Sequence, residues 1–255
     1  MSEALAALVA RGDPDRWRAA MTAPPERRPG LLALYAFNLE IARAPWAASE
    51  PLLAEIRLQW WREALAGIAA GAPPRRHEVV EPLAATIRAA QLPARLFEAM
   101  IDARLADTEP APHPDRASLL RYLDATAGGL MELAARHLGA PDTALPVVRD
   151  FARGAGAAGL LRALPELRAR GRVPLPADTT PADLAREGAG ALARARAQRS
   201  RVPAAVAPAL LAGWRAGPVL AHALADPQAV AEGRLDTSEF RARVALLLRA
   251  FSGRW

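Results

Sequence analysis

The sequence predicts an all-α, single-domain helical bundle spanning residues 1–255. Three observations carry that expectation. Apolar residues recur at 3.6-residue spacing along most of the chain. Gly and Pro clusters cut it into helix-length pieces. No segment alternates apolar and polar residues as a half-buried strand would. With 255 residues, 52% of them hydrophobic, the chain can bury one sizeable core. It shows no internal repeat and no long disordered linker.

Ser2 to Arg11 forms a short helix ended by Gly12, and Asp13-Pro14 is a cap and first turn for the next. A Pro-rich loop follows. Leu31 to Gly71 is the densest apolar, aromatic stretch and reads as two long helices. Leu31, Leu34, Tyr35, Asn38, Ile41 and Ala42 share one face of the first, and Pro45 ends it by disfavouring helical dihedrals at Ala44. Ser49 is the N-cap of the second, with Pro51 in its first turn. There Ala54, Leu58, Trp61, Leu65 and Ile68 make a stripe that Trp60 widens. A helix this apolar is expected to be covered on more than one side, at the centre of the bundle and in the wall of any cavity.

Ala72 to His77 is a loop, and Glu78–Gln91 and Pro93–Asp107 are two helices split at Leu92-Pro93. After a turn-rich break at Thr108–Pro114, one long helix is expected from Asp115 to Leu138, carrying the small-residue patch Thr126-Ala127-Gly128-Gly129. Gly139 to Asp142 is a stop and a new cap. Thr143 to Leu164 is a helix with Gly154, Gly156 and Gly159 in its interior. Each glycine costs about 1 kcal/mol against Ala there, so a neighbouring helix or a ligand comes close to the backbone. Pro165 should kink or stop this helix, because it lacks an N–H and clashes with the Leu161 carbonyl. Ala169–Pro181 is an irregular crossing. From Pro181 onward three more helices are expected, broken near Pro203, Pro227 and Gly233.

There is no cysteine, which excludes a disulfide framework, a thiolate nucleophile and a thiolate metal site. All 33 basic residues are arginine, and the net charge is +6. That balance favours anionic partners: a membrane surface, a diphosphate or nucleic acid. The basic run Arg194–Arg201 has no interleaved aromatics, so nucleic acid is not expected as a partner. It is a solvated helix face or a contact for anionic lipid head groups. No stretch reaches 18 uninterrupted apolar residues, so no transmembrane helix is expected. Glu3 and the lack of a basic n-region argue against a signal or transit peptide.

His77, His113, His137 and His222 stand apart from one another and from acidic pairs at ligand spacing. Glu98–Asp102 and Glu232–Asp236 are four apart. Each pair could join a diphosphate in holding Mg²⁺, or belong to a solvated face, with Arg95 and Arg104 near the first pair. The helix Leu31–Ala44 carries one acid, Glu40, and the Gly-rich helix carries only Asp150, near its start. No nucleophile elbow, S-x-x-K or P-loop occurs, and GAGAAG lies within a helix pattern, not after a strand.

The strings ALYAFNLEIAR, SEPLLAEIRLQWWREAL, YLDATAGGLMEL and LLRALPELRARGRVPLP resemble, in order, the signature blocks of the squalene/phytoene synthase family, over nearly the whole chain from about Asp13. The resemblance implies the isoprenoid-synthase fold with a central cavity. Family enzymes join two prenyl diphosphates head to head, using Mg²⁺ held by two Asp-rich motifs on facing helices. Carried onto this chain, the first motif's aspartates fall on Ala42 and Trp46 and the second's on Ala163 and Leu167, with only Glu166 acidic. A family Arg falls on Leu39, a Gln and an Asn on Gly156 and Gly159, and a Tyr on Pro174. Tyr35, Tyr122, Arg162 and Arg172 match.

Ala, Trp and Leu supply no oxygen ligands, so the resemblance implies no catalytic residue, no metal and no cofactor. Mg²⁺ enters only if the chain is a prenyl transferase with a displaced site. Tyr35, Asn38, Trp46, Trp61, Tyr122, Gly156, Gly159, Arg162 and Arg172 are the candidates for lining the cavity. The same strings are similar to a degenerate branch of the family, the mitochondrial complex I assembly factor, and the chain looks like a bacterial relative of it. That implies a pseudoenzyme that helps assemble respiratory complex I, cytoplasmic or peripheral at the inner face of the membrane. Its partners would be complex I subunits or other assembly factors, an anionic membrane surface, or an isoprenoid. The alternatives are an Mg-dependent head-to-head prenyl diphosphate transferase and a non-catalytic isoprenoid- or quinone-binding protein.

Overall fold

Asp13 shows how local chemistry sets the first elements: its carboxylate accepts from the Arg16 backbone N–H at 2.9 Å and caps α2 (Pro14–Met21) just after α1 (Glu3–Gly12). The computed structural model describes residues 3–46, 51–109, 111–236 and 238–255. The next helices are α3 (Arg28–Arg43), α4 (Pro51–Ala69), α5 (Val80–Ala90) and α6 (Ala94–Leu105). Then come α7 (Arg116–Leu123), α8 (Gly129–His137) and the 25-residue α9 (Leu145–Ala169). The last are α10 (Pro181–Ala197), α11 (Ala207–Leu211), α12 (Ala216–Ala225), α13 (Pro227–Ala231) and α14 (Glu239–Ser252). No strand occurs among the described residues, and the buried residues form one core running from Leu5 to Trp255.

α3 is the axis of the first half. Residues Gly30 to Leu39 are all buried, covered by α1, α2, α5 and α8. It ends at Arg43, beside Pro45, but not by the expected route: Ala44 keeps helical dihedrals (φ −51°, ψ −46°), so it is the N–H missing from Pro45 and not a shift at Ala44 that accompanies the stop. α9 is the axis of the second half, packed on α10, α12 and α8. The two axes face each other across the site described below.

Five expectations need correction or fall outside what is described. Ser49 lies outside the described residues. α4 is covered on one face only: Ala54, Leu58, Trp61, Leu65 and Ile68 are buried while Leu52, Leu53 and Ile56 are exposed, so the fully covered helix is α3. The segment from Asp115 to Leu138 is two helices joined by a π-helical turn at Asp124–Gly128, where the Thr126 hydroxyl donates to the Tyr122 carbonyl at 2.7 Å. α9 runs through Pro165 to Ala169. The lost hydrogen bond lies near its end, and the buried Leu161 and Leu164 hold the turn in place. Beyond Pro181 there are five α-helices. The breaks at Pro203, Pro227 and Gly233 occur as read, and one more follows Leu211, where Gly213 closes onto Ala155 of α9.

Candidate functional site

One face of α3 repeats every three to four residues as Tyr35, Asn38 and Ala42, and Trp46 continues it just past the helix end. The opposing face of α9 carries Gly156, Gly159, Ala163 and Leu167. These two rows are the walls of a cavity of about 980 Å³. Tyr122 of α7, Thr126 of the π-helical turn and Leu130 of α8 close it on one side, and Gly213, with Ala216 and Val219 of α12, on another. Small side chains on α9 leave the space open: a Cβ built on Gly159 meets nothing within 4 Å.

The interior is largely apolar with few polar groups. Tyr35 is 1% exposed, and its hydroxyl is buried without a hydrogen-bond partner. Burial raises its pKa well above the usual phenol value, so it is a neutral donor at physiological pH. Asn38, one turn further on, is also buried.

At one end Trp46 stands in the opening, with the Arg170 and Arg172 guanidinium groups 5.2 and 5.0 Å from its ring centroid. Arg172 also donates to the backbone oxygen of Asp107 at 2.8 Å and to that of Glu109. The Asp107 carboxylate accepts from Arg104 (2.9 Å) and from the Tyr122 hydroxyl (2.9 Å). Burial works to lower the Arg104 pKa, but the charges of Tyr122 and Asp107 outweigh it and hold it above its usual value. His113 packs 4.9 Å from the Tyr122 ring, and burial lowers its pKa against the pull of Asp107.

At the other end Asp15 pairs with Arg215 (2.9 Å), Arg18 (3.2 Å) and Arg162 (3.7 Å). Arg162 pairs in turn with Asp236 at 2.8 Å and Arg215 with Glu239 at 2.5 Å. The Nη1 of Arg215 is buried without a partner.

Eight of the nine candidate lining residues lie on this cavity, as do Ala42, Ala163 and Leu167. Trp61 does not. It is 4% exposed and packs edge-on against Phe37 (5.3 Å) and Trp60 (5.1 Å), because the α4 stripe faces the side of α3 turned away from the cavity. Sequence reasoning missed Asp15, Arg104, Asp107 and Arg215, which come from separate elements and meet only through the topology. The acidic pairs do not act as pairs: Asp102 is bound to Arg62 at 2.6 Å, not to Arg95 or Arg104, while Glu232 turns to Arg234 and Asp236 to Arg162.

A sequence model of the squalene/phytoene synthase family matches residues 9–212. The chain belongs to that family. Complex I assembly factor 6 of Bos taurus is 28% identical over 172 residues, covering 67% of this chain and 51% of the cattle protein. Its Homo sapiens counterpart is 26% identical over the same shares. The match thus spans about half the length of these curated relatives. Among solved structures, a dehydrosqualene synthase in complex with a ligand superposes with a TM-score of 0.82 at 14% identity, covering 98% of this chain and 94% of that one. Squalene synthase HpnC from Alicyclobacillus acidocaldarius superposes at 0.61 with 18% identity, covering 98% and 93%. The fold is therefore that of the isoprenoid synthases.

The donor set does not fit the Mg²⁺ of the family's enzymes. No group of three or more His, Asp or Glu among the described residues could hold a metal ion. Four of the five carboxylates that line the cavity are paired with arginines, Asp13 with Arg16, Asp15 with Arg215, Asp107 with Arg104 and Glu166 with Arg170, which leaves Glu109 as a single acid and not a cluster. A hard divalent cation needs several free anionic oxygens around one point, and the walls present Ala42, Trp46, Ala163 and Leu167, which supply none.

Proposed function

We propose that this chain is a non-catalytic member of its family that serves as an assembly factor for respiratory complex I, working at the membrane with complex I subunits or other assembly factors. The observation that carries the proposal is the cavity wall. Where the resemblance puts metal-binding aspartates, Ala42, Trp46, Ala163 and Leu167 line the space, and Asp15 and Asp107 nearby are paired with arginine. The names of the curated relatives supply the process. The retained bundle then acts as a binding scaffold, peripheral to the inner face of the membrane. No single described helix is long and apolar enough to cross it.

The test is deletion of the gene in its host, with membrane NADH:quinone oxidoreductase activity and prenyl lipids measured in the same cells. The proposal expects that activity to fall while the lipids stay unchanged. Normal respiration with loss of a squalene- or phytoene-derived lipid would establish instead a prenyl diphosphate transferase, the reading the family enzymes favour. A third reading, a non-catalytic isoprenoid or quinone carrier, is favoured by the open cavity and the unpartnered Tyr35 hydroxyl. It predicts saturable binding of a prenol without a diphosphate.

A further inference from the structure

The helix α14 lies outside the residues matched by the family's sequence model, and it carries the two most exposed large apolar side chains among the described residues, Phe240 and Phe251. Phe240, Val244, Leu247, Leu248 and Phe251 fall on one face by their spacing, and Phe251 is 97% exposed. The opposite face is anchored. Ala242 and Leu246 are buried, and past the helix end Trp255 packs edge-on against Phe151 at 5.0 Å. The stripe is therefore held outward by a helix that is itself fixed to the body on α11.

A cluster of arginines surrounds its C-terminal end. Arg199 donates to the Gly253 carbonyl at 2.6 Å and lies 5.4 Å from the Trp255 ring centroid. Burial lowers the pKa of Arg199, and Arg254 and Arg196 lower it further; burial and Arg196 do the same to Arg249. Among the described residues no carboxylate lies within ion-pair distance of Arg196, Arg199, Arg249 or Arg254, so the positive charges of the cluster are not paired there. This differs from the ends of the cavity, where Asp15 and Asp107 are paired with arginines.

We propose that α14 and this arginine cluster form a docking surface for an anionic phospholipid bilayer. A bilayer supplies hydrocarbon for the apolar stripe and phosphates for the guanidinium groups at the same boundary. A two-fold contact that set two stripes parallel would bring one positive cluster against the other, and the oligomeric state of the chain tests the remaining antiparallel arrangement. The surface is independent of what the cavity does, so the vesicle experiment and the deletion phenotype can fail separately.

The experiment is co-sedimentation of the full chain with vesicles of phosphatidylcholine alone and of phosphatidylcholine mixed with phosphatidylglycerol. Binding is expected on the mixed vesicles, at least about tenfold tighter than on the neutral ones, and weakened by salt. Leu247→Asp combined with Phe251→Asp should abolish it with an unchanged circular dichroism spectrum and melting temperature, because both side chains are already exposed. Arg196→Ala and Arg254→Ala should each weaken it about fivefold. No binding, equal binding to both vesicles, or full binding by the double aspartate variant would overturn the proposal. So would a stable dimer that this variant converts to a monomer, which would make the stripe a self-interface.

Discussion

α9 turns one face to α10 and another to the cavity, and the two faces use glycine for opposite reasons. At Gly154 an added Cβ would lie 2.5 Å from Cγ of Leu192 and 2.8 Å from the backbone oxygen of Gly188. The close approach is mutual, since a Cβ on Gly188 would meet Ala157 at 2.8 Å. The glycines there let two helix backbones touch. At Gly159, five residues on, a Cβ would meet nothing, because that face borders the open cavity. One glycine closes a seam and the other leaves a void. A void forfeits dispersion contacts that a larger side chain would supply, so its presence in a packed bundle is a feature of the site and not of the scaffold.

The comparison breaks most visibly under alanine substitution. Gly154→Ala should lower stability by about 2 kcal/mol, since the clash is with a backbone oxygen that cannot swing away. Gly159→Ala should raise it by about 1 kcal/mol, because the site has room and alanine is the better helix former. Urea unfolding of the two variants checks both signs. Equal effects at the two positions would show that the faces are not distinct.

A smaller effect, switched by pH, tests another closed seam. Gly30 on α3 approaches the His137 ring so closely that a Cβ would lie 2.2 Å from it. His137 Nε2 donates to the Arg27 carbonyl at 2.9 Å, which leaves Nδ1 buried without a partner. Burial lowers the His137 pKa. The folded state therefore binds this proton less readily than the unfolded one. The contribution to stability is complete above the ordinary histidine value of 6.5 and is lost as pH falls below it towards the folded pKa. Denaturation midpoints should drop on the acid side, and His137→Gln should flatten the curve. A midpoint that rises on acidification would reverse the assignment.

The sequence exposes the axes of the fold more fully than it exposes the site. Helix boundaries at Gly12, Pro45, Pro93 and Pro181 follow from local chemistry, and the structure keeps them. Pro165 misled because the cost of one lost hydrogen bond is local, while the burial of Leu161 and Leu164 is set by the rest of the bundle. Trp61 misled for a related reason: periodicity shows that a residue is buried but not which side of its neighbour it faces. Tyr35, Asn38 and Ala42 are legible as one helix face, and Gly154, Gly156 and Gly159 as a place where a neighbour or a ligand nears the backbone. The matched ion pairs at the ends of the cavity are not legible, since Asp15, Arg162 and Arg215 are far apart in sequence and no period links them.

Trp46 sharpens the comparison at the mouth of the cavity, where the expected stability change is the smallest. Its ring faces two arginines in a partly exposed setting, so Trp46→Ala should cost no more than about 1 kcal/mol. The larger consequence is access, because the mouth widens when the indole is removed. Entry of a fluorescent prenol probe, followed by stopped flow, should then be faster in the variant if Trp46 gates the cavity, and unchanged if the probe enters elsewhere. Trp46→Asp puts a carboxylate where the sequence resemblance would place a metal-binding aspartate, yet it should not give Mg²⁺-dependent consumption of farnesyl diphosphate. The new carboxylate would lie between Arg170 and Arg172 and pair with them, while Ala42, Ala163 and Leu167 still offer no oxygen. Turnover by that single variant would show that a latent metal site survives in the walls.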